Sequence, residues 1–128
     1  MASKSLRVGI IGADTKASWA GASHVPAICS QPGLVLAAVA TRHEDSARAA
    51  ADTFGAGRWY ADPYRLIADD TIDIVTVAVK VPAHRELVLA ALRAGKAVYC
   101  EAPLGASLAE TEEMAAAAGR LHTAIGLQ

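Results

Sequence analysis

Short apolar runs alternating with stretches of helical spacing constrain this chain more than any other feature. The first run, Leu6-Arg7-Val8-Gly9-Ile10-Ile11-Gly12-Ala13-Asp14, is almost uncharged, rich in β-branched residues and stopped by a glycine. A half-exposed strand would alternate apolar and polar residues, so this pattern predicts a parallel strand buried on both faces. Leu34–Ala40 repeats it, and Ile72–Val79 is the most strand-like stretch of all. Shorter strands are expected at Arg58–Tyr60, Ala97–Cys100 and Thr123–Leu127.

The intervening segments read as helices. Trp19–Gln31 contains Pro26, which either kinks the helix or restarts it in a new first turn. Residues 43–54 put Ala47, Ala50, Ala51 and Phe54 on one face, with Gly55 as the stop. Asp62-Pro63 is a cap followed by proline at the first helical position, opening a helix to about Ala68. Pro82 starts a helix with an apolar stripe of Leu87, Val88, Ala91 and Leu92; Gly95 ends it, and Lys96 is expected beside its negative end. Ser107 and Glu110 form a capping box for a helix closing at Gly119.

Strands and helices in this alternation imply right-handed crossovers and an α/β fold, a doubly wound parallel sheet covered on both faces. With 128 residues there is room for one domain and one core. Hydrophobic residues at 53% and charged residues at 20% exclude a disordered chain. A net charge of −1 without a cationic block argues against nucleic acid or an anionic membrane as partner. The apolar stretches fall short of a membrane span, and Met1–Leu6 lacks the organisation of a secretory leader. Cys29 and Cys100 have no metal-ligand spacing, so no metal site is expected; both read as reduced, small buried hydrophobes of a cytoplasmic protein.

The turn after the first strand is where such folds hold a nucleotide phosphate, on backbone N–H groups and the positive end of the next helix. Gly12 fills the first position of the glycine fingerprint, but Asp14 and Ala17 occupy the second and third. A carboxylate beside a pyrophosphate is repulsive by about 1 kcal/mol at ~4 Å in a watery dielectric. Lys16 offsets that, or Asp14 turns away and caps the helix; a tight turn with no ligand is the bland alternative. At the end of the second strand, Thr41-Arg42-His43 replaces the acid that would select NAD, and also the one an S-adenosylmethionine site would want. A hydroxyl and a guanidinium suit a 2′-phosphate and give adenine a flat cation to lie against, favouring NADP with NAD as second choice. The competing reading is a solvated helix start. Lys80 leaves the fourth strand at the ligand-binding edge, either for function or as a snorkelled surface lysine. His84, in the next first turn, fits a capping or solvated role better than a catalytic one. Glu101 leaves the fifth strand on the same edge, to hold a ribose or nicotinamide group or to bond local backbone N–H groups.

Taken together, Arg7–Gly12, Ile72–Val75, His84, and the run from Leu89 through Ala94-Gly95-Lys96 to Glu101-Ala102-Pro103 resemble the glucose–fructose oxidoreductase / inositol dehydrogenase / rhizopine-catabolism (Gfo/Idh/MocA) family over nearly the whole chain. The long stretch Gly12–Ile28, with Trp19-Ala20 and His24-Val25-Pro26-Ala27-Ile28, and Val79-Lys80-Val81-Pro82-Ala83-His84 look most like the branch of the yeast galactose-regulon repressor. The resemblance implies a Rossmann-type dinucleotide-binding domain. Cofactor contacts are expected from Gly12, Ala13, Asp14, Thr15, Lys16 and Trp19 on the first turn, and from Thr41 and Arg42 after the second strand. Val79, Lys80 and His84 follow the fourth strand, and Glu101 and Ala102 the fifth. It implies an NAD(P)-dependent oxidoreductase acting on a sugar or polyol, or a regulatory module that senses NAD(P) without chemistry. Family dehydrogenases carry Glu-Lys-Pro where this chain has Glu101-Ala102-Pro103, and alanine cannot move a proton. No catalytic residue is assigned. The family's second domain, with the catalytic histidine, substrate pocket and oligomer contacts, is expected to begin just after Gln128, so that this length alone is short of an active site.

Overall fold

The computed structural model describes residues 5–13, 19–21 and 23–126, with Trp19 by its backbone alone. Strands β1 (Leu6–Ile11), β2 (Leu34–Ala40), β3 (Arg58–Tyr60), β4 (Ile74–Val77), β5 (Ala97–Glu101) and β6 (Thr123–Gly126) form one sheet in the order β3-β2-β1-β4-β5-β6. All neighbours are parallel. The order reverses between β1 and β4, which is the doubly wound arrangement. Helices α1 (His24–Ser30), α2 (Glu44–Phe54), α3 (Pro63–Ile67), α4 (His84–Arg93) and α5 (Leu108–Ala118) supply the crossovers. Val8, Ile10, Leu36 and Val39 pack with Val25 and Ile28 of α1 and Ala50 and Ala51 of α2. Ile11, Val75, Val77 and Val98 pack with Leu66, Leu87, Val88 and Leu92 of α3 and α4. A central sheet buried on both faces explains why its strands are uninterrupted apolar runs.

The differences from expectation have local causes. Pro26 is the third residue of α1, where its missing N–H would have had no helical partner. Trp19–Gly21 is a separate 3-10 turn, so the helix restarts. Likewise a 3-10 turn at Val81–Ala83 holds Pro82, and α4 begins at His84. β4 is shorter than Ile72–Val79: its ladder with β1 ends at Val77, and beyond it the Ala78 N–H still donates to the Ile11 carbonyl at 2.9 Å. At its other end the Ile72 carbonyl accepts from Lys96 Nζ at 2.6 Å. That lysine does not lie beside the end of α4 in solvent. It is 8% exposed, and its ammonium also donates to the Asp69 carbonyl at 2.8 Å. The Ser107 hydroxyl accepts from Glu110 N as expected, but the Glu110 carboxylate accepts from Ala106 N, one residue before the cap. Cys29 is exposed, contrary to expectation, because α1 turns that side to solvent. Cys100 is buried, and burial, with the charge of Glu101 beside it, pushes its thiol up to about 12. Among the described residues no helix is long and apolar enough to cross a membrane.

Candidate functional site

Gly12 lies where β1, β2 and β4 end together. Its N–H donates to the Ala40 carbonyl at 2.8 Å. Its φ of 94° is in the left-handed region, and a Cβ there would overlap the carbonyl oxygen of Ala78. Glycine is therefore required twice over, by its own backbone and by the close approach of β4. Ala13 follows, fully buried. Asp14, Thr15 and Lys16 lie outside the described residues, as does the Trp19 side chain.

The second strand delivers Thr41 and Arg42 to the same edge, with different fates. Thr41 is buried; its hydroxyl donates to the His43 carbonyl at 2.9 Å and lies 2.6 Å from Ser46 Oγ. It fastens the entry of α2. Arg42 is exposed. From β4, Val79 is half-buried and Lys80 reaches solvent. Arg42 and Lys80 are thus exposed cations at this edge, beside the acidic Glu44 and Asp45 in the first turn of α2, of which Glu44 pairs with Arg48 at 3.2 Å.

His84 is neither a cap nor solvated. It is 1% exposed, with Nε2 2.7 Å from the Val79 carbonyl and Nδ1 3.0 and 3.1 Å from the carbonyls of Pro103 and Leu104. With Nε2 beside a carbonyl of the loop after β4 and Nδ1 beside two of the loop after β5 and 3.4 Å from Cys100 Sγ, the ring ties those two loops together. Glu101 is also engaged: its Oε2 accepts from His24 Nε2 at 3.0 Å. Ala102 is half-buried and donates its N–H to the Gly126 carbonyl at 2.8 Å. His24 is the residue that sequence reasoning missed as part of this edge. Nothing in its spacing pairs it with a residue 77 positions away.

Gly12, Ala13, Arg42, Val79, Lys80, Glu101 and Ala102 thus meet at the carboxyl ends of β1, β2, β4 and β5, around the reversal of strand order. Two cavities lie elsewhere. One of about 320 Å³ sits between α5 and β6, lined by Val98, Met114 and Ile125. Another of about 360 Å³ lies between Arg85, Arg93 and Glu113 on α4 and α5. The first is an apolar gap at the outer strand and the second a surface cleft between helices. Neither lies at the strand ends where crevice ligands of open α/β sheets are held.

Residues 6–127 match the sequence model of an oxidoreductase family with an NAD-binding Rossmann fold. This chain belongs to the Gfo/Idh/MocA family. It is 33% identical over 109 residues to the myo-inositol 2-dehydrogenase of Thermotoga maritima, covering 85% of this chain and 31% of that protein. The fold is similar to that of an NAD binding oxidoreductase from Klebsiella pneumoniae, with a TM-score of 0.86 and 30% identity over 95% of this chain and 34% of that one. It is also similar to a 3-ketoreductase from Actinomadura kijaniata in complex with NADP, with a TM-score of 0.81 and 32% identity over 90% of this chain and 36% of that one. The chain spans about a third of the length of the curated relatives it matches.

Proposed function

We propose that this chain is the NAD(P)-binding domain of a Gfo/Idh/MocA oxidoreductase whose substrate is a sugar or polyol. The observation that carries this is the close packing of Gly12 against Ala78 at the point where strand order reverses, the crevice in which such sheets hold a dinucleotide. A nicotinamide dinucleotide, when bound, supplies the hydride donor or acceptor. The chain's residues bind and orient it. Backbone N–H groups at the end of β1, from Gly12 onward, take the phosphates, and Arg42 takes the 2′-phosphate, so NADP is favoured over NAD. The edge fits this group: Gly12 carries no side chain, Arg42 and Lys80 are exposed cations, and Thr41 stands where an acidic side chain would be. The inward turn of Thr41 leaves the 2′-phosphate to Arg42 and to the exposed start of α2. A substrate domain elsewhere in a longer protein would close the pocket and make contacts with other copies. The free cysteines, Cys29 and Cys100, are in keeping with a cytoplasmic location.

A second reading is a regulatory module that senses NAD(P) without chemistry, and Ala102 favours it because a methyl group moves no proton. The long stretch Gly12–Ile28 and the run Val79–His84 support the branch of the yeast galactose-regulon repressor within the family. Calorimetric titration with NADP and NAD tests the binding shared by both readings. Heat with NADP and less with NAD is expected; no heat with either at millimolar concentration ends both. Cofactor reduction across a panel of polyols, measured with any downstream domain present, separates catalysis from sensing.

A further inference from the structure

His24 opens α1 and Glu101 closes β5, and their side chains meet at 3.0 Å with only 11% and 12% of each exposed. Because β4 lies between β1 and β5 in the sheet, this contact passes over the carboxyl end of β4. The His24 ring also stands edge-on to Tyr99, with centroids 5.3 Å apart and planes at 75°. Tyr99 in turn lies across Gly126 of β6, where any Cβ would collide with its hydroxyl. Gly126, Tyr99, Glu101 and His24 therefore make a continuous platform from the outer strand to the start of α1.

Such a platform has a reason to exist beyond packing. α1 is only seven residues long, and its N-cap Ser23 makes no side-chain cap bond. So short a helix holds no fixed position by itself. Its body packs on β2 and the 3-10 turn before it, on the far side of β1 from β5. Among the described residues, His24 bridges α1 back to β5 by its hydrogen bond to Glu101.

We infer that His24 and Glu101 are a positioning pair for the dinucleotide, a strap that sets the span between the β1–α1 segment and the end of β5 before the ligand arrives. This rests on the binding proposed above and deepens it. Neither residue is assigned to hydride or proton transfer. Glu101 acts on the ligand through His24, by holding the α1 side of the crevice at its working distance. Preorganisation of this kind shows as affinity, because an untethered segment must be ordered at the moment of binding.

The test is calorimetric titration of the chain with NADP and NAD, for the parent and for His24→Asn, His24→Gln, Glu101→Ala and the double variant His24→Asn/Glu101→Ala. Asparagine is too short to place a donor at the Nε2 position, whereas glutamine reaches it. His24→Asn and Glu101→Ala are each expected to weaken binding about tenfold, the order expected when one ordered segment must be fixed on binding. The double variant should be no weaker than the weaker single one, since the contact is lost only once. His24→Gln should recover affinity to within about threefold of the parent if one donor to Glu101 is what counts. Amide spectra should show Gly12 and Ala13 displaced in His24→Asn and restored in His24→Gln, with thermal midpoints close to the parent's. A parent that binds alongside variants that bind equally well overturns the strap alone. So does a His24→Gln variant as weak as His24→Asn, because generic packing would then suffice. A parent that binds neither dinucleotide overturns the binding reading and the strap with it.

Discussion

Lys96 and Lys80 both flank strands of the same sheet, one just before β5 and the other just after β4, and the fold treats them oppositely. Lys96, at the amino edge, is buried with its ammonium on the carbonyls of Asp69 and Ile72. Lys80, at the carboxyl edge, reaches into water. The neighbours of each follow suit. At the amino edge the Asp69 carboxylate, 4% exposed, accepts from Arg58, from the Tyr60 hydroxyl and from the backbone and side chain of Thr71. Asp73 accepts from Arg7 N at 2.9 Å. At the carboxyl edge Thr41 and His84 lie on backbone carbonyls and Glu101 on His24, while the long cations Arg42 and Lys80 are exposed. Polar residues at one edge close the sheet; those at the other hold loops in place and leave cations for a ligand.

Substitutions at each edge can break this contrast. The largest effect is expected for Gly12→Ala. Left-handed backbone and overlap with Ala78 together cost about 3–4 kcal/mol, and dinucleotide binding is lost with the turn. Thermal unfolding and calorimetry would both register it. Next is Lys96→Met, which leaves two buried carbonyls without a donor and costs about 3 kcal/mol. Unchanged dinucleotide affinity in that variant, measured below its lowered melting temperature, would confirm that the amino edge serves stability alone.

Asp69 gives a smaller effect with a pH signature. Burial alone would raise its carboxyl, but donors from Thr71, Tyr60 and Arg58 outweigh burial and hold it well below the usual carboxylate range. The Tyr60 phenol and the Arg58 guanidinium move up in response. The stabilisation is therefore complete above the unfolded value of about 3.9 and is lost as pH falls toward the folded one. Asp69→Asn should cost about 2 kcal/mol at neutral pH and flatten the decline in stability below pH ~4. Denaturant melts across that range would read both. Smallest in stability is Arg42→Ala. It should leave the melting temperature within about 1 °C, since exposed substitutions rarely exceed 0.5 kcal/mol. It should also weaken NADP about tenfold while NAD changes less than about twofold, as loss of one charge-assisted contact predicts. Equal losses for both dinucleotides would remove Arg42 from the 2′-phosphate.

The fold was legible because its signals are local or periodic. Leu34–Ala40 and Arg58–Tyr60 form strands with the expected ends, and Gly55 and Asp62 terminate and cap their helices as read. The edge was legible in part. Gly12, Arg42 and Lys80 follow from strand ends in a doubly wound order. The roles of Thr41 and His84 did not follow, because a side chain's partner depends on what the next loop brings to it. Carbonyls leave no mark in a sequence. The groups facing the His84 ring are carbonyls of Val79, Pro103 and Leu104, and the acceptors of Lys96 are carbonyls of Asp69 and Ile72.

By itself, then, the order of residues determined the strands, the helices between them and the edge where they end, since periodicity and turn chemistry act over a few residues. Only the folded chain decided which polar groups at that edge turn inward and which reach out. It also decided that His24 lies on Glu101. Those choices are made by contacts between segments far apart in sequence, where burial makes an unpartnered polar atom costly.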